Sequence, residues 1–138
     1  MKYIIFLFIV FISILIASCS SGNGSADPLL HDIWVVQSIN GATYSRVEGQ
    51  DLHPTLEIYL SEKRFLGNTG CNNMNGSMNV EGDKISFSDI TTTKMFCVDV
   101  DETSFLTALS KADKYKIEKM RLYLFDDDKE VLVFKKID

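Results

Sequence analysis

The sequence predicts an α+β, mainly β fold: a strongly twisted antiparallel sheet forming a partial barrel, with one packed helix at about residues 100–112. Three observations predict it. Short segments alternate apolar and polar residues, the period of a half-buried strand. Short polar turns join them, which favours antiparallel neighbours. Only one segment, with Phe105, Leu106, Leu109 and Ala112 at i, i+1, i+4 and i+7, carries a helical apolar face.

Each element has its own signal. Ile33 to Ile39 is β-rich and ends at the turn dipeptide Asn40-Gly41. Trp34 lies within it and is the expected core anchor, because a lone Trp offers a small domain its largest apolar area. Residues 42–53 are polar and irregular. After Pro54, Leu56, Ile58 and Leu60 alternate with Glu57 and Tyr59. Ser61-Glu62-Lys63 turns the chain, and Arg64 to Gly67 returns it. Met74, Met78 and Val80 fall on alternating positions. Glu81-Gly82-Asp83 is a tight turn, and Ile85 and Phe87 mark the next strand, over 84–87. Asp99 followed three positions later by Glu102 fits a capping box at the helix start. Tyr115 to Ile117 is a further strand. Leu122, Leu124, Val131 and Val133 alternate around Asp126-Asp127-Asp128-Lys129, a hairpin. The total is about seven or eight strands, with the helix over the opening of the sheet.

Residues 1–18 have the form of an export signal. Lys2 is followed by an apolar run from Tyr3 to Ile16, shorter than the ~20 residues that cross a bilayer as a helix. The run ends in Ile16-Ala17-Ser18-Cys19, which resembles a bacterial lipobox. In such proteins the cysteine thiol receives a diacylglycerol and the chain is cleaved before it. Residues 19–30 then form a lipidated cysteine and a Gly/Ser/Asn-rich flexible tether, and 31–138 the folded domain. The expected partner is a membrane, through the N-terminal lipid. Two or three acyl chains anchor stably where one does not. Ser20 stands where an aspartate serves as an inner-membrane retention signal in some bacteria. The expected location is therefore the bacterial cell envelope, on the periplasmic face of an outer membrane.

With 14 basic and 19 acidic side chains the net charge is −5. Loss of residues 1–18 removes only one charge, Lys2. An acidic balance argues against nucleic acid and against a basic membrane-binding surface.

Of three cysteines, assigning Cys19 to lipid leaves Cys71 and Cys97. An even pair in an exported protein reads as a disulfide. A loop of that size would restrict the unfolded chain by about 3–4 kcal/mol. Two separate buried thiols are the competing reading.

Cys71 sits in GNTGCNNMNG, residues 67–76. As a nucleophile it needs a base, usually histidine, held by a third group. His31 borders the tether and His53 lies in an irregular segment. A phosphate loop needs a helix after the glycines, normally with a lysine, and neither follows. Glycine and asparagine accept positive φ, and asparagine bonds nearby backbone, so the loop reads as architectural. Asp99, Asp101 and Thr103 lack the glycine and final glutamate of a calcium loop. No metal, cofactor or catalytic residue is expected. An apolar ligand between Phe65, Phe87, Phe96, Phe105 and Phe125 is the alternative use of a partial barrel.

Gly70-Cys71-Asn72, then Thr93-Lys94-Met95-Phe96-Cys97, then Glu102 and Phe105, with Trp34 early in the domain, resembles the META domain family, which includes HslJ-like heat-shock lipoproteins. The likeness covers about residues 31–136. Where the family commonly has Met-Ala-Cys, this chain has Met95-Phe96-Cys97. The resemblance implies a small β-rich fold with a packed helix and structural rather than catalytic motif residues. It implies a non-catalytic role in envelope stress or integrity, with another envelope protein as the candidate partner.

Overall fold

The computed structural model describes residues 24–45 and 53–137. Cys19 and the apolar run before it lie outside the described residues. Among the described residues nine strands follow one another: β1 (Ile33–Ile39), β2 (Ala42–Thr43), β3 (Thr55–Tyr59), β4 (Arg64–Asn68), β5 (Asn73–Glu81), β6 (Lys84–Thr92), β7 (Lys114–Glu118), β8 (Arg121–Asp126) and β9 (Lys129–Lys136). One helix, α1 (Glu102–Lys111), lies between β6 and β7.

All strands belong to one antiparallel sheet in the order β2-β1-β3-β4-β5-β6-β7-β8-β9. β1 also pairs with β9, from Trp34↔Lys136 to Ile39↔Leu132, so the sheet curls into a ring. The seam is between β6 and β7, where Lys84↔Lys114 is the single register pair. Two flanking backbone bonds, Ile85 N–H to Asp113 O (3.0 Å) and Tyr115 N–H to Asp83 O (2.8 Å), hold it. α1 packs against β6, β8, β9 and β1 and covers the opening. The expected mainly β partial barrel with one packed helix is the observed fold.

Hydrophobic alternation fills the interior. Trp34, Leu56, Ile58, Phe65, Leu122 and Leu124 are all at most 1% exposed. Phe65 meets Phe87 edge-on at 5.3 Å, and Phe105 of α1 meets Phe134 of β9 at 6.4 Å. Such pairs contribute about 0.5–1.5 kcal/mol beyond area burial. The Trp34 indole N–H donates to Leu30 O at 3.1 Å, so its one polar atom is satisfied in the core.

Because neighbouring strands are antiparallel, their connections alternate between two ends. The turns at 60–63, 82–83 and 119–120 lie at the end where the chain enters β1, here the tether end. The loop 69–72 and the segment 93–101 lie at the other, the disulfide end, while the turn 127–128 sits beside Asp113 and Lys114 past the C-terminus of α1.

Four expectations shift. The ordered chain starts before residue 31: Pro28–Leu30 form a 3-10 turn with Leu30 fully buried, and the Asp27 N–H donates to the Tyr115 hydroxyl at 2.9 Å. β6 runs past residue 87 to Thr92, since it follows β5 through a bulge at Asn75/Ser77. In the last hairpin, Leu122 faces Phe134 and Leu124 faces Leu132. Val133, paired with Tyr123, therefore lies on the opposite face from Leu122 and Leu124, because a register shift at Leu124/Phe125 changes the parity; Val131 is the extra residue at that shift and stays in the core. Finally, α1 is capped by Asp101 rather than Asp99. Asp101 Oδ1 accepts the Ser104 N–H at 3.0 Å, the bond of an N-cap to the N3 residue. Asp99 instead sits at φ 62° in the turn before it.

Hydrogen bonds from the Ser104 hydroxyl and N–H hold the Asp101 carboxyl below the usual carboxylate range. A depressed carboxyl stabilises the fold above its unfolded-state value, and that contribution is lost as pH falls through the lower folded value. Asp101→Ala is expected to cost about 1 kcal/mol at neutral pH. In urea titrations the gap from the parent chain should close below pH 3.8, the ordinary aspartate value. Asp99→Asn should leave stability unchanged. Equal losses for the two variants would refute the cap assignment.

Candidate functional site

The family-type motif residues other than Trp34 gather around α1 and its start. The loop between β4 and β5 brings Thr69, Gly70, Cys71 and Asn72; the segment after β6 brings Thr93, Met95 and Cys97; α1 brings Glu102 and Phe105. Gly70 adopts φ 94°, where an L side chain is strained. The Asn68 carboxamide oxygen accepts the Gly70 N–H at 2.7 Å and tightens the bend.

Asn72 is the hub. It is 3% exposed, and its carboxamide is used on both sides. Oδ1 accepts the Met95 N–H and the Thr93 hydroxyl, both at 2.7 Å. Nδ2 donates to Glu102 Oε1 and Oε2, both at 3.0 Å, and to Met95 O at 3.1 Å. A backbone N–H can only donate, so it fixes which way the amide points. The Asn72 N–H donates to the Thr69 hydroxyl at 2.8 Å, and that hydroxyl in turn donates to the Glu102 carboxylate. Thr69 is 1% exposed.

Among the described residues no cation is paired with the half-buried Glu102 carboxylate. It is the first residue of α1, where the helix dipole favours negative charge, and it gathers the Asn72 amide and the Thr69 hydroxyl. Its role is therefore not the reciprocal bond of a capping box. It ties the helix to the loop.

Cys71 and Cys97 are joined, with sulfurs 1.95 Å and Cα atoms 5.9 Å apart across 26 positions. Cys71 is 2% exposed. The disulfide reading of the two interior cysteines thus holds over separate thiols. Three chain segments meet at one covalent link and one carboxamide, which is an architectural arrangement.

The remaining candidates fall elsewhere. Trp34 is in the core. Phe65, Phe87 and Phe105 are packed core residues, Phe125 is half-buried, and Phe96 is 93% exposed, so the five phenylalanines do not line one pocket. His31 packs edge-on against Tyr59, and His53 packs against Tyr44. Among the described residues no group of three or more His, Cys, Asp or Glu is placed to hold a metal ion, and no helix is long and apolar enough to cross a membrane. A cleft of about 310 Å³ lies between β2 and the start of α1, lined by Ala42, Tyr44, Asp101 and Ser104 among others. Thr69 was missed by sequence reasoning. Its position directly before Gly70-Cys71-Asn72 was the available signal.

Comparison with known proteins fixes the class. The META domain model matches residues 27–138. The chain belongs to the META domain family, a family not known as enzymatic, and membership supports a bacterial envelope-type protein. No curated protein matches the chain in sequence. Among solved structures, an NMR structure of a protein from Burkholderia xenovorans is similar, at 24% identity and a TM-score of 0.64, covering 88% of this chain and 99% of that one. A crystal structure of a DUF4847 family protein from Bacteroides vulgatus ATCC 8482 is similar at 14% identity and a TM-score of 0.56, covering 80% and 97%. At these identities the likeness is one of fold.

Asn72→Asp replaces a donor by a second carboxylate facing Glu102. Two carboxylates at hydrogen-bond distance raise one another's pKa, so the folded state binds protons more readily than the unfolded state. The variant is expected to lose about 3 kcal/mol at neutral pH. Its deficit should shrink as pH falls and one carboxyl is protonated. Asn72→Ala should lose a similar amount with no such recovery. Chemical denaturation across pH reads both, and a pH-independent deficit for Asn72→Asp would show that the two groups do not face each other.

Proposed function

We propose that the chain is a lipid-anchored, non-catalytic protein of the bacterial envelope that binds a partner or supports envelope integrity. The observation that carries this is Ile16-Ala17-Ser18-Cys19 at the end of an apolar run with a basic start. Family membership supports an envelope-type protein, and the resemblance to HslJ-like lipoproteins favours a stress-linked role. The absence of aspartate after Cys19 favours the periplasmic face of an outer membrane.

The motif cluster supports the non-catalytic part of the reading. Nucleophilic catalysis requires a thiolate or hydroxyl with a base at hand. Here both sulfurs are in one bond, and the Thr69 hydroxyl and Asn72 carboxamide are bonded to neighbours. An apolar-ligand pocket draws less support, because three of its five expected aromatic residues fill the core.

Protein purified from bacterial membranes is expected to begin at Cys19 and to carry the mass of two or three acyl chains. Cys19→Ala should abolish both the cleavage and the acyl mass. Without reductant, a thiol-reactive label should find neither Cys71 nor Cys97. A processed chain without acyl mass would overturn the anchor, and labelling of Cys71 would reopen the thiol chemistry.

A further inference from the structure

We infer that the tether end of the barrel is a bilayer-docking face, which seats Ile33, Met120 and Ile137 among lipid headgroups and sets Lys119, Arg121 and Lys135 against their phosphates. This rests on the lipid-anchor reading above and deepens it.

The three apolar residues form one patch. The Ile137 N–H donates to Ile33 O, and the Lys136 N–H donates to Met120 O, both at 3.0 Å, so the start of β1, the end of β9 and the β7–β8 turn are stitched together. Ile33 is 41%, Met120 54% and Ile137 43% exposed. Met120 is at the tip of its turn, where Lys119 and Met120 both adopt positive φ, 50° and 60°. Such turns favour asparagine, aspartate or glycine. Turn geometry gives no reason for a methionine there. A flexible, polarisable side chain on a protruding turn suits an adaptable apolar contact.

Three cations beside this patch, Lys119, Arg121 and Lys135, hold no salt bridge among the described residues, although Glu118 faces Arg121 across β7 and β8. Arg121 and Lys135 are direct partners across β8 and β9, and like charges so placed repel. Three other cations of this end do hold one: Lys136 with Asp32 at 2.7 Å, Lys116 with Glu118 at 2.8 Å, and Arg64 with Glu62 at 2.5 Å. The ammonium and guanidinium groups of Lys119, Arg121 and Lys135 are free to meet anionic lipid phosphates, beside the acidic residues Asp32 and Glu118 of the same end.

The anchor selects the bilayer as the occupant. The Gly82 N–H donates to Gly24 O at 2.8 Å, so the chain leaves the domain beside the β5–β6 turn, at this same end. Cys19 is five residues earlier and can stand at most about 18 Å away. Lipid on Cys19 therefore holds this end to the membrane. Phe96 lies past the far end of β6, a strand of nine residues, hence about 30 Å off. Three partly exposed side chains also fall short of the ~800 Å² per partner of a stable protein interface. An already anchored domain needs no such area to orient itself.

The test uses the full-length acylated protein in vesicles of phosphatidylethanolamine with phosphatidylglycerol, carrying brominated acyl chains. Met120→Trp, Ile137→Trp and Phe96→Trp report depth above the background of the buried Trp34. Trp at positions 120 and 137 should lose emission to the brominated lipid, and Trp at 96 should not. Lys119→Glu, Arg121→Glu and Lys135→Glu combined should remove that loss, as should omission of phosphatidylglycerol. Quenching at 96 instead, or at none of the three in an acylated vesicle-bound chain, overturns the inference and leaves the anchor standing. Shielding of 120 and 137 by a second copy, seen as cross-linked dimer without quenching, overturns it as well. A chain without acyl mass that stays in solution overturns the anchor reading itself.

Discussion

The disulfide end is organised by one carboxamide. Asn72 is buried, so each of its polar atoms must find a partner or carry a desolvation penalty of about 1–3 kcal/mol. Its partners come from three places: Thr69 in its own loop, Thr93 and Met95 after β6, and Glu102 at the first turn of α1. Satisfying one side chain therefore fixes where β6 must end and where the helix must begin. α1 in turn packs across β6, β9, β8 and β1. The disulfide acts differently. It restricts the unfolded chain by about 3–4 kcal/mol, while the carboxamide specifies the native arrangement.

Much of this fold was legible because its information is local. The alternation of Leu56 and Ile58, or of Ile85 and Phe87, is a property of neighbouring residues, and those residues are the ones buried. The turn at Asn40-Gly41 is equally local, with both residues at positive φ. The exceptions need information the local pattern does not hold. The face of Val133 depends on a register shift one strand away. The role of Glu102 depends on a loop 30 residues earlier. Asp99 and Asp101 both precede helical residues, and only the backbone decides which one caps. β2 is two residues long and carries no periodicity at all. The site was half legible: its residue types were visible as a motif, and the bonds among them were not.

The antiparallel topology sorts the connections of the barrel between two ends. Every second connection returns to the tether end, bringing Lys63, Lys119 and the end of β9 near the entry of the chain. The loop 69–72 and the segment 93–101, with Asp99 and Asp101, lie at the disulfide end. Sequence-wide charge cannot express which residues share an end, since that sorting exists only once the strands are paired.

Exposure of Phe96 follows from the same constraint. The Met95 N–H and C=O are both bonded to Asn72, and Cys97 is bonded to Cys71. The residue between them has no freedom to turn inward without breaking one of these links. The core beneath is also full, with Phe105 and Leu109 completely buried. A large side chain at position 96 can therefore only point outward, which explains how this chain accommodates Phe where the family commonly has Ala. The substitution changes the surface of the molecule and leaves its clamp intact.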